Sequence, residues 1–176
     1  MRTLVLGGIR SGKSDWAEKA VAGETLVRYI ATGAVCDDDE SWAARVAEHR
    51  NRRPSAWITV ETLDLTAELR GQPAVATLVD DLGGWLTGAL DRHGWDGPSP
   101  DDDIGGLLAA VGDFVAPLLL VSPEVGMSVV PATAAGRRFA DELGSLNRRL
   151  AQVCERVVLV VAGQPVWVKT AAKEPF

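Results

Sequence analysis

The chain has little cysteine, histidine and asparagine, and no long apolar run. Two cysteines, Cys36 and Cys154, occur among 176 residues. They make no disulfide framework and have no metal-ligand spacing, so both are expected to be reduced thiols in a cytoplasmic protein. No apolar run approaches the roughly 20 residues that cross a bilayer, and no membrane span is expected. No basic-then-apolar signal segment opens the chain. Basic residues number 18 against 24 acidic, a net charge of −6. That balance argues against a nucleic-acid surface and makes any anion site a local one. The only asparagines, Asn51 and Asn147, are each followed by Arg, so the Asn-Lys-x-Asp guanine signature of GTP-dependent switches is absent.

What is present is Gly7-Gly8-Ile9-Arg10-Ser11-Gly12-Lys13-Ser14, a Gly, four residues, then Gly-Lys-Ser. It follows the apolar run Thr3 to Leu6 and precedes a helix-like run from Ser14 to Val21. Strand, glycine loop and helix in this order read as a phosphate-binding loop. Glycines let the backbone adopt positive φ and approach oxygen atoms closely. The N–H groups then line an anion nest, and the helix adds the positive end of its dipole. Lys13 is expected on the β- and γ-phosphates, and Ser14 on Mg²⁺.

Strand and helix patterns alternate, which predicts an α/β fold with a mainly parallel sheet in one domain, residues 1–176. Strands are expected over 3–6, 26–31, 57–60, 74–79, 118–122, 156–161 and 165–169. The last two are joined too tightly for a crossover, so the final strand should be antiparallel at an edge. Helices are expected over 13–22, 39–51, 84–92, 104–114 and 134–154. The last has Phe139, Leu143, Leu146, Leu150 and Val153 on one face and Thr133 as N-cap. The Gly-, Pro- and Asp-rich stretch 93–103 reads as a surface loop.

A phosphate loop needs a metal-side carboxylate at a strand end. Asp80, directly after an apolar run, supplies it, while Asp81 reads as a cap of the next helix. Glu124, just past strand 118–122, is a second acidic position where ligands of open α/β sheets bind. His49-Arg50-Asn51-Arg52-Arg53 ends a helix. Its arginines either clamp phosphates or simply favour a helix C-terminus. His49 reads either as a nucleophile toward phosphorus or as a structural histidine beside Trp42 and Val46. Glu61, at the end of an alternating strand, has the acceptors for a guanine edge or a ribose.

Further runs accompany the glycine loop. They include Tyr29-Ile30-Ala31-Thr32, Arg45 to Arg50 with Arg53-Pro54, Trp57 to Glu61, and Leu78-Val79-Asp80 with Trp85-Leu86. Val121-Ser122, Glu124 to Met127, Val130-Pro131, Arg138-Phe139, Asp141, Gly144, Asn147 and Val160 to Gly163 follow. In this order, over nearly the whole chain, they resemble the bifunctional adenosylcobinamide kinase / adenosylcobinamide-phosphate guanylyltransferase family of cobalamin biosynthesis. The resemblance implies a RecA-like P-loop NTPase fold, a homotrimer, and ATP and GTP as substrates with Mg²⁺. It implies phosphorylation of adenosylcobinamide and then transfer of GMP to adenosylcobinamide phosphate. It makes His49 the group that carries GMP. It places Ala31, Thr32, Gly33, Arg50, Asn51, Arg52, Arg53, Glu61 and Asp80 around the nucleotide, beside the glycine loop. The alternative is a small-molecule kinase in which His49 only positions phosphate. The chain departs from the family pattern at Pro123, at Gly83, Gly84 and Gly88, and at Ala140 and Arg148.

Overall fold

A computed structural model describes residues 1–33, 54 and 56–170. Its strands are β1 (Arg2–Gly7), β2 (Arg28–Ala31), β3 (Ile58–Glu61), β4 (Thr77–Asp80), β5 (Leu118–Pro123), β6 (Arg156–Val161) and β7 (Gln164–Lys169). They form one sheet in the order β3-β2-β4-β5-β1-β6-β7. Every pairing is parallel except β6 with β7. The hairpin turn has positive φ at both Ala162 (49°) and Gly163 (75°). Such a turn matches the twist of the strands it joins. The mainly parallel sheet and the antiparallel edge are therefore as the sequence suggested.

The helices are α1 (Lys13–Val21), α2 (Leu65–Gly71), α3 (Leu82–His93), α4 (Asp101–Gly112) and α5 (Ala134–Val153). Successive strand residues point to opposite faces. Leu4, Ile30, Val79, Leu118 and Leu120 therefore pack with α2 to α5, through Leu69, Trp85, Leu107 and Leu146. Val5, Tyr29, Leu78, Leu119 and Val121 pack on the other face, against Ala17 and Val21 of α1. Burial on both faces is why these strands read as continuous apolar runs.

Two segments differ from expectation. Helix α4 begins at Asp101, not at 104, so it takes the end of the stretch expected to be loop. Asp101, Asp102 and Asp103 fill its first turn, where negative charge meets the positive end of the helix dipole. Helix α2, only seven residues long, was not expected. It is too short for periodicity to show, and its start is set by Asp64, whose carboxylate accepts from Ala67 N–H at 3.1 Å. Thr133 caps α5 as expected, accepting from Gly136 N–H at 3.1 Å. Cys154 is a buried free thiol, and burial pushes its pKa up to about 12. Cys36 and the expected helix 39–51 lie outside the described residues.

The N-terminal strand is anchored by charge. Arg2 Nε donates to Glu155 at 3.0 Å, and its Nη1 donates to the carbonyls of Val111 and Gly112 at the end of α4. The Arg2 guanidinium holds Glu155 down at about 2. A carboxylate with a depressed pKa stabilises the fold above its unfolded value, near 4.5, and loses that contribution as pH falls toward 2. Glu155→Gln should cost on the order of 1 kcal/mol at neutral pH, since the pair is partly solvated. The variant should also lack the part of the acid-induced loss of stability between pH 4.5 and 2 that Glu155 contributes. Urea unfolding at a series of pH values checks both.

Candidate functional site

The glycine loop leaves β1 at the C-terminal edge of the sheet and enters α1. Gly12 has φ 87° and Arg10 φ 54°, so the chain passes twice through the left-handed region. Close packing also dictates glycine. A Cβ at Gly7 would stand 2.3 Å from Ser11 Oγ and 2.9 Å from the Val160 carbonyl oxygen. One at Gly12 would stand 3.2 Å from Gly163 Cα. The loop is braced from both sides. Gly163 N–H donates to Ser11 O at 2.8 Å, and Glu124 N–H donates to Gly7 O at 3.0 Å. Gly8, Ile9 and Arg10 form an exposed crown, while Ser11, Gly12, Lys13 and Ser14 are half-buried.

Asp80 ends β4, and β5 separates that strand from β1. Ser14 Oγ nevertheless reaches across to donate to Asp80 Oδ1 at 3.1 Å. Tyr29 O–H donates to Asp80 Oδ2 at 2.6 Å. Both carboxylate oxygens are thus oriented from the protein side. The arrangement joins a hydroxyl and a carboxylate beside an anion nest, a donor set suited to a hard cation that also touches phosphate. Among the described residues, no group of three or more His, Cys, Asp or Glu forms a dedicated metal cage.

Asp81 plays the capping part expected of it. Its Oδ1 accepts from Gly84 N–H at 3.0 Å, at the start of α3. Burial, with the Asp80 charge next, raises its pKa, while the Gly84 N–H bond and Lys13 oppose the rise. The departures at Gly83 and Gly84 have a steric reason. A Cβ at Gly83 would lie 3.0 Å from the Pro123 ring, and one at Gly84 3.1 Å from Thr32 O. The small residues let α3 sit against the ends of β2 and β5, so Pro123 and Gly83 are matched.

Ala31, Asp80 and Glu61 are register partners at the ends of β2, β4 and β3. Thr32 follows, fully buried, its hydroxyl donating to Asp81 O. Gly33 is exposed just beyond. The structure therefore brings Gly7 to Ser14, Ala31 to Gly33, Glu61 and Asp80 to one edge of the sheet. Glu124 starts at that edge too, but its Oε1 accepts from Gly126 N–H at 2.6 Å and closes its own turn. His49, Arg50, Asn51, Arg52 and Arg53 lie outside the described residues.

Sequence reasoning gave Tyr29 no part in the site. The signal was strand alternation, which turns its ring to the α1 face, where it stacks on Trp57 with centroids 6.4 Å apart. It also missed the buried brace under Pro123. Ser122 Oγ donates to Asn147 Oδ1 at 2.6 Å, and Asn147 Nδ2 donates to Pro123 O at 3.0 Å. That pair ties the end of β5 to α5.

A glycine nest opening a helix, with a carboxylate held against its serine from a strand one removed, defines a P-loop nucleotide-binding protein of the RecA-like class. Solved structures share the fold. The ATPase EscN of the enteropathogenic E. coli type III secretion system matches with TM-score 0.58 at 10% identity, over 92% of this chain and 43% of that one. The PH0250 protein of Pyrococcus horikoshii matches with TM-score 0.54 at 10% identity, over 98% and 87%.

The particular family follows from sequence. The CobU family model, cobinamide kinase / cobinamide phosphate guanyltransferase, matches residues 3–168, and the chain belongs to that family. The bifunctional adenosylcobalamin biosynthesis protein CobP of Pseudomonas aeruginosa is 43% identical over 173 residues, 96% of this chain and 98% of that protein. CobU of Salmonella typhimurium, also named a bifunctional adenosylcobalamin biosynthesis protein, is 39% identical over 183 residues, 96% and 100%. The chain is accordingly a kinase and a guanyltransferase, which favours the two-activity reading over a kinase alone.

The loop geometry carries a direct expectation. Gly12→Ala forces a side chain into the left-handed region at a cost of about 1–2 kcal/mol, and pushes on Gly163. GTP affinity should fall by about five- to thirtyfold, because each 1.4 kcal/mol of lost loop geometry is about a factor of ten. Calorimetric titration with GTP checks it.

Proposed function

We propose that the chain runs two phosphorus reactions of adenosylcobalamin biosynthesis at one triphosphate site. In the first, the terminal hydroxyl of the aminopropanol arm of adenosylcobinamide attacks the γ-phosphorus of ATP or GTP. An O–P bond forms, the bond to the β-phosphate oxygen breaks, the diphosphate leaves and the hydroxyl proton passes to solvent. The loop N–H groups and Lys13 hold the phosphate oxygens while charge moves onto the bridging oxygen. The half-buried position of Lys13 keeps its charge partly out of water, where it acts more strongly. In the second reaction, a ring nitrogen of His49 attacks the α-phosphorus of GTP and pyrophosphate leaves. The phosphate of adenosylcobinamide phosphate then displaces the imidazole and takes GMP. Splitting one transfer into two displacements is the usual gain of nucleophilic catalysis.

Ser14 and Asp80 would hold Mg²⁺, which supplies charge neutralisation at the phosphates. Arg50, Asn51, Arg52 and Arg53, with Ala31 to Gly33 and Glu61, form the remainder of the nucleotide site in this reading. The working assembly is a homotrimer in the cytoplasm, where the nucleotides are. No helix among the described residues is long and apolar enough to cross a membrane. The observation that supports the scheme most is the Ser14 to Asp80 contact of 3.1 Å beside a doubly braced loop.

The scheme is tested by separating its halves. After incubation with Mg-GTP, the intact mass should rise by one GMP, with the adduct labile to acid and stable to alkali. His49→Ala should lose the adduct and guanylyl transfer entirely, yet keep the kinase step within about tenfold. Lys13→Ala should lower both steps by about 10²–10³-fold, the size of losing one preorganised charge donor. An adduct that persists in His49→Ala would overturn the histidine route. Tyr29→Phe keeps the ring but removes a donor from Asp80. The Mg²⁺ concentration for half-maximal GTP binding should then rise by about tenfold, as for other residues that orient a metal ligand.

A further inference from the structure

Helix α5 turns Leu143, Leu146 and Leu150 into the core, all fully buried, and among them stands Asn147, 6% exposed. A leucine would suit that stripe better, because an amide taken out of water costs free energy unless its polar ends are bonded. Here both are bonded. Oδ1 accepts from the buried Ser122 hydroxyl at 2.6 Å, and Nδ2 donates to the Pro123 carbonyl at 3.0 Å. A carbonyl only accepts, so the amide has one orientation.

The Pro123 carbonyl needs that donor. Consecutive strand residues bond to opposite sides. Glu124 N–H donates to Gly7 O of β1, so the Pro123 carbonyl faces away from β1. On that side β4 pairs with β5 only as far as Val79 and Leu120. The Asn147 amide therefore takes the place of a strand that has ended, and satisfies a backbone group that the sheet leaves over.

From Pro123 the path to the phosphate nest is short and has no slack. Pro123 is the register partner of Gly7, the first residue of the loop, and the Glu124 bond of 3.0 Å fixes the Gly7 carbonyl. Around Gly7 the packing is close, since a Cβ there would stand 2.3 Å from Ser11 Oγ and 2.9 Å from Val160 O. The Pro123 ring is held in turn by α3, 3.0 Å from where a Gly83 Cβ would stand. Groups packed this closely transmit a shift rather than absorb it. A movement at the end of β5 passes to the loop N–H groups.

We propose that Asn147 is a positioning residue for the triphosphate. Through Pro123 and Glu124 it sets the height of Gly7, and so the aim of the N–H groups that hold the phosphate oxygens. Donors aimed in advance stabilise the charge that moves onto the bridging oxygen, and misaimed donors must reorganise first. This deepens the triphosphate reading above and rests on it, but not on the histidine route.

Inorganic tripolyphosphate is the probe, because it fills the nest without a base or a ribose. Its affinity for the full chain is measured by calorimetry, well below the melting temperature of each variant. Asn147→Leu continues the apolar stripe. Asn147→Leu combined with Ser122→Ala also removes the hydroxyl left without an acceptor, so the double variant should melt close to wild type. Both should weaken tripolyphosphate by about tenfold, given that a 1 Å misplacement costs about 10²-fold. The kcat of the kinase step should fall by a similar factor, with KM for adenosylcobinamide unchanged. Leu107→Ala, in the α4 core, is the control for stability alone. It should lower the melting temperature and leave tripolyphosphate affinity within about twofold, as expected of an independent site. Affinity within about twofold of wild type in the double variant would overturn the positioning role. So would an equal loss in Leu107→Ala, which would make the effect one of general stability. A wild-type chain that takes up no tripolyphosphate would overturn the triphosphate site itself, so the two failures are told apart.

Discussion

The site depends on one reach, from the hydroxyl of Ser14 across β5 to the carboxylate of Asp80. The two groups belong to elements that are not neighbours in the sheet. They meet only because β1 and β4 both pair with β5 in parallel, which places the ends of those strands at one edge. The glycine loop is held at that edge by backbone bonds from β5 and from the β6–β7 hairpin. Anion binding by backbone N–H groups needs such bracing. A nest that must reorganise around each phosphate would lose in reorganisation what it gains in attraction. The antiparallel hairpin, which looks peripheral in the topology, is thus part of the phosphate grip through Gly163.

The loop is a concavity of N–H groups with a partly buried lysine. Buried polar pairs hold the elements around it. Asn147 ties Pro123 to α5, and Asp81 starts α3. Both replace water at groups that would be costly to leave unpaired.

Much of this was legible in order along the chain. The glycine loop, the Asp80 carboxylate, the Asp81 cap, the Thr133 cap and the closing hairpin all follow from local rules about backbone freedom, capping and connection length. What escaped was non-local or too short. Tyr29 meets Asp80 from a neighbouring strand, and nothing in its own stretch announces that contact. Helix α2 has too few residues for a period. The start of α4 was hidden because three aspartates and a proline resemble a loop until a helix dipole gives them a reason. Pro123 and Gly83 read as separate departures, and only packing shows that one makes room for the other.

The sequence by itself determined that a triphosphate grip exists, where it begins, and which family chemistry surrounds it. Those properties live in short runs whose backbone needs are severe, so few other residues satisfy them. Tertiary structure decided which tyrosine orients the Asp80 carboxylate, how Asn147 braces the end of β5, and how Gly83 makes room for Pro123. Those outcomes depend on strand order and helix docking. They arise from distances between segments far apart in the chain, and no local pattern encodes such distances.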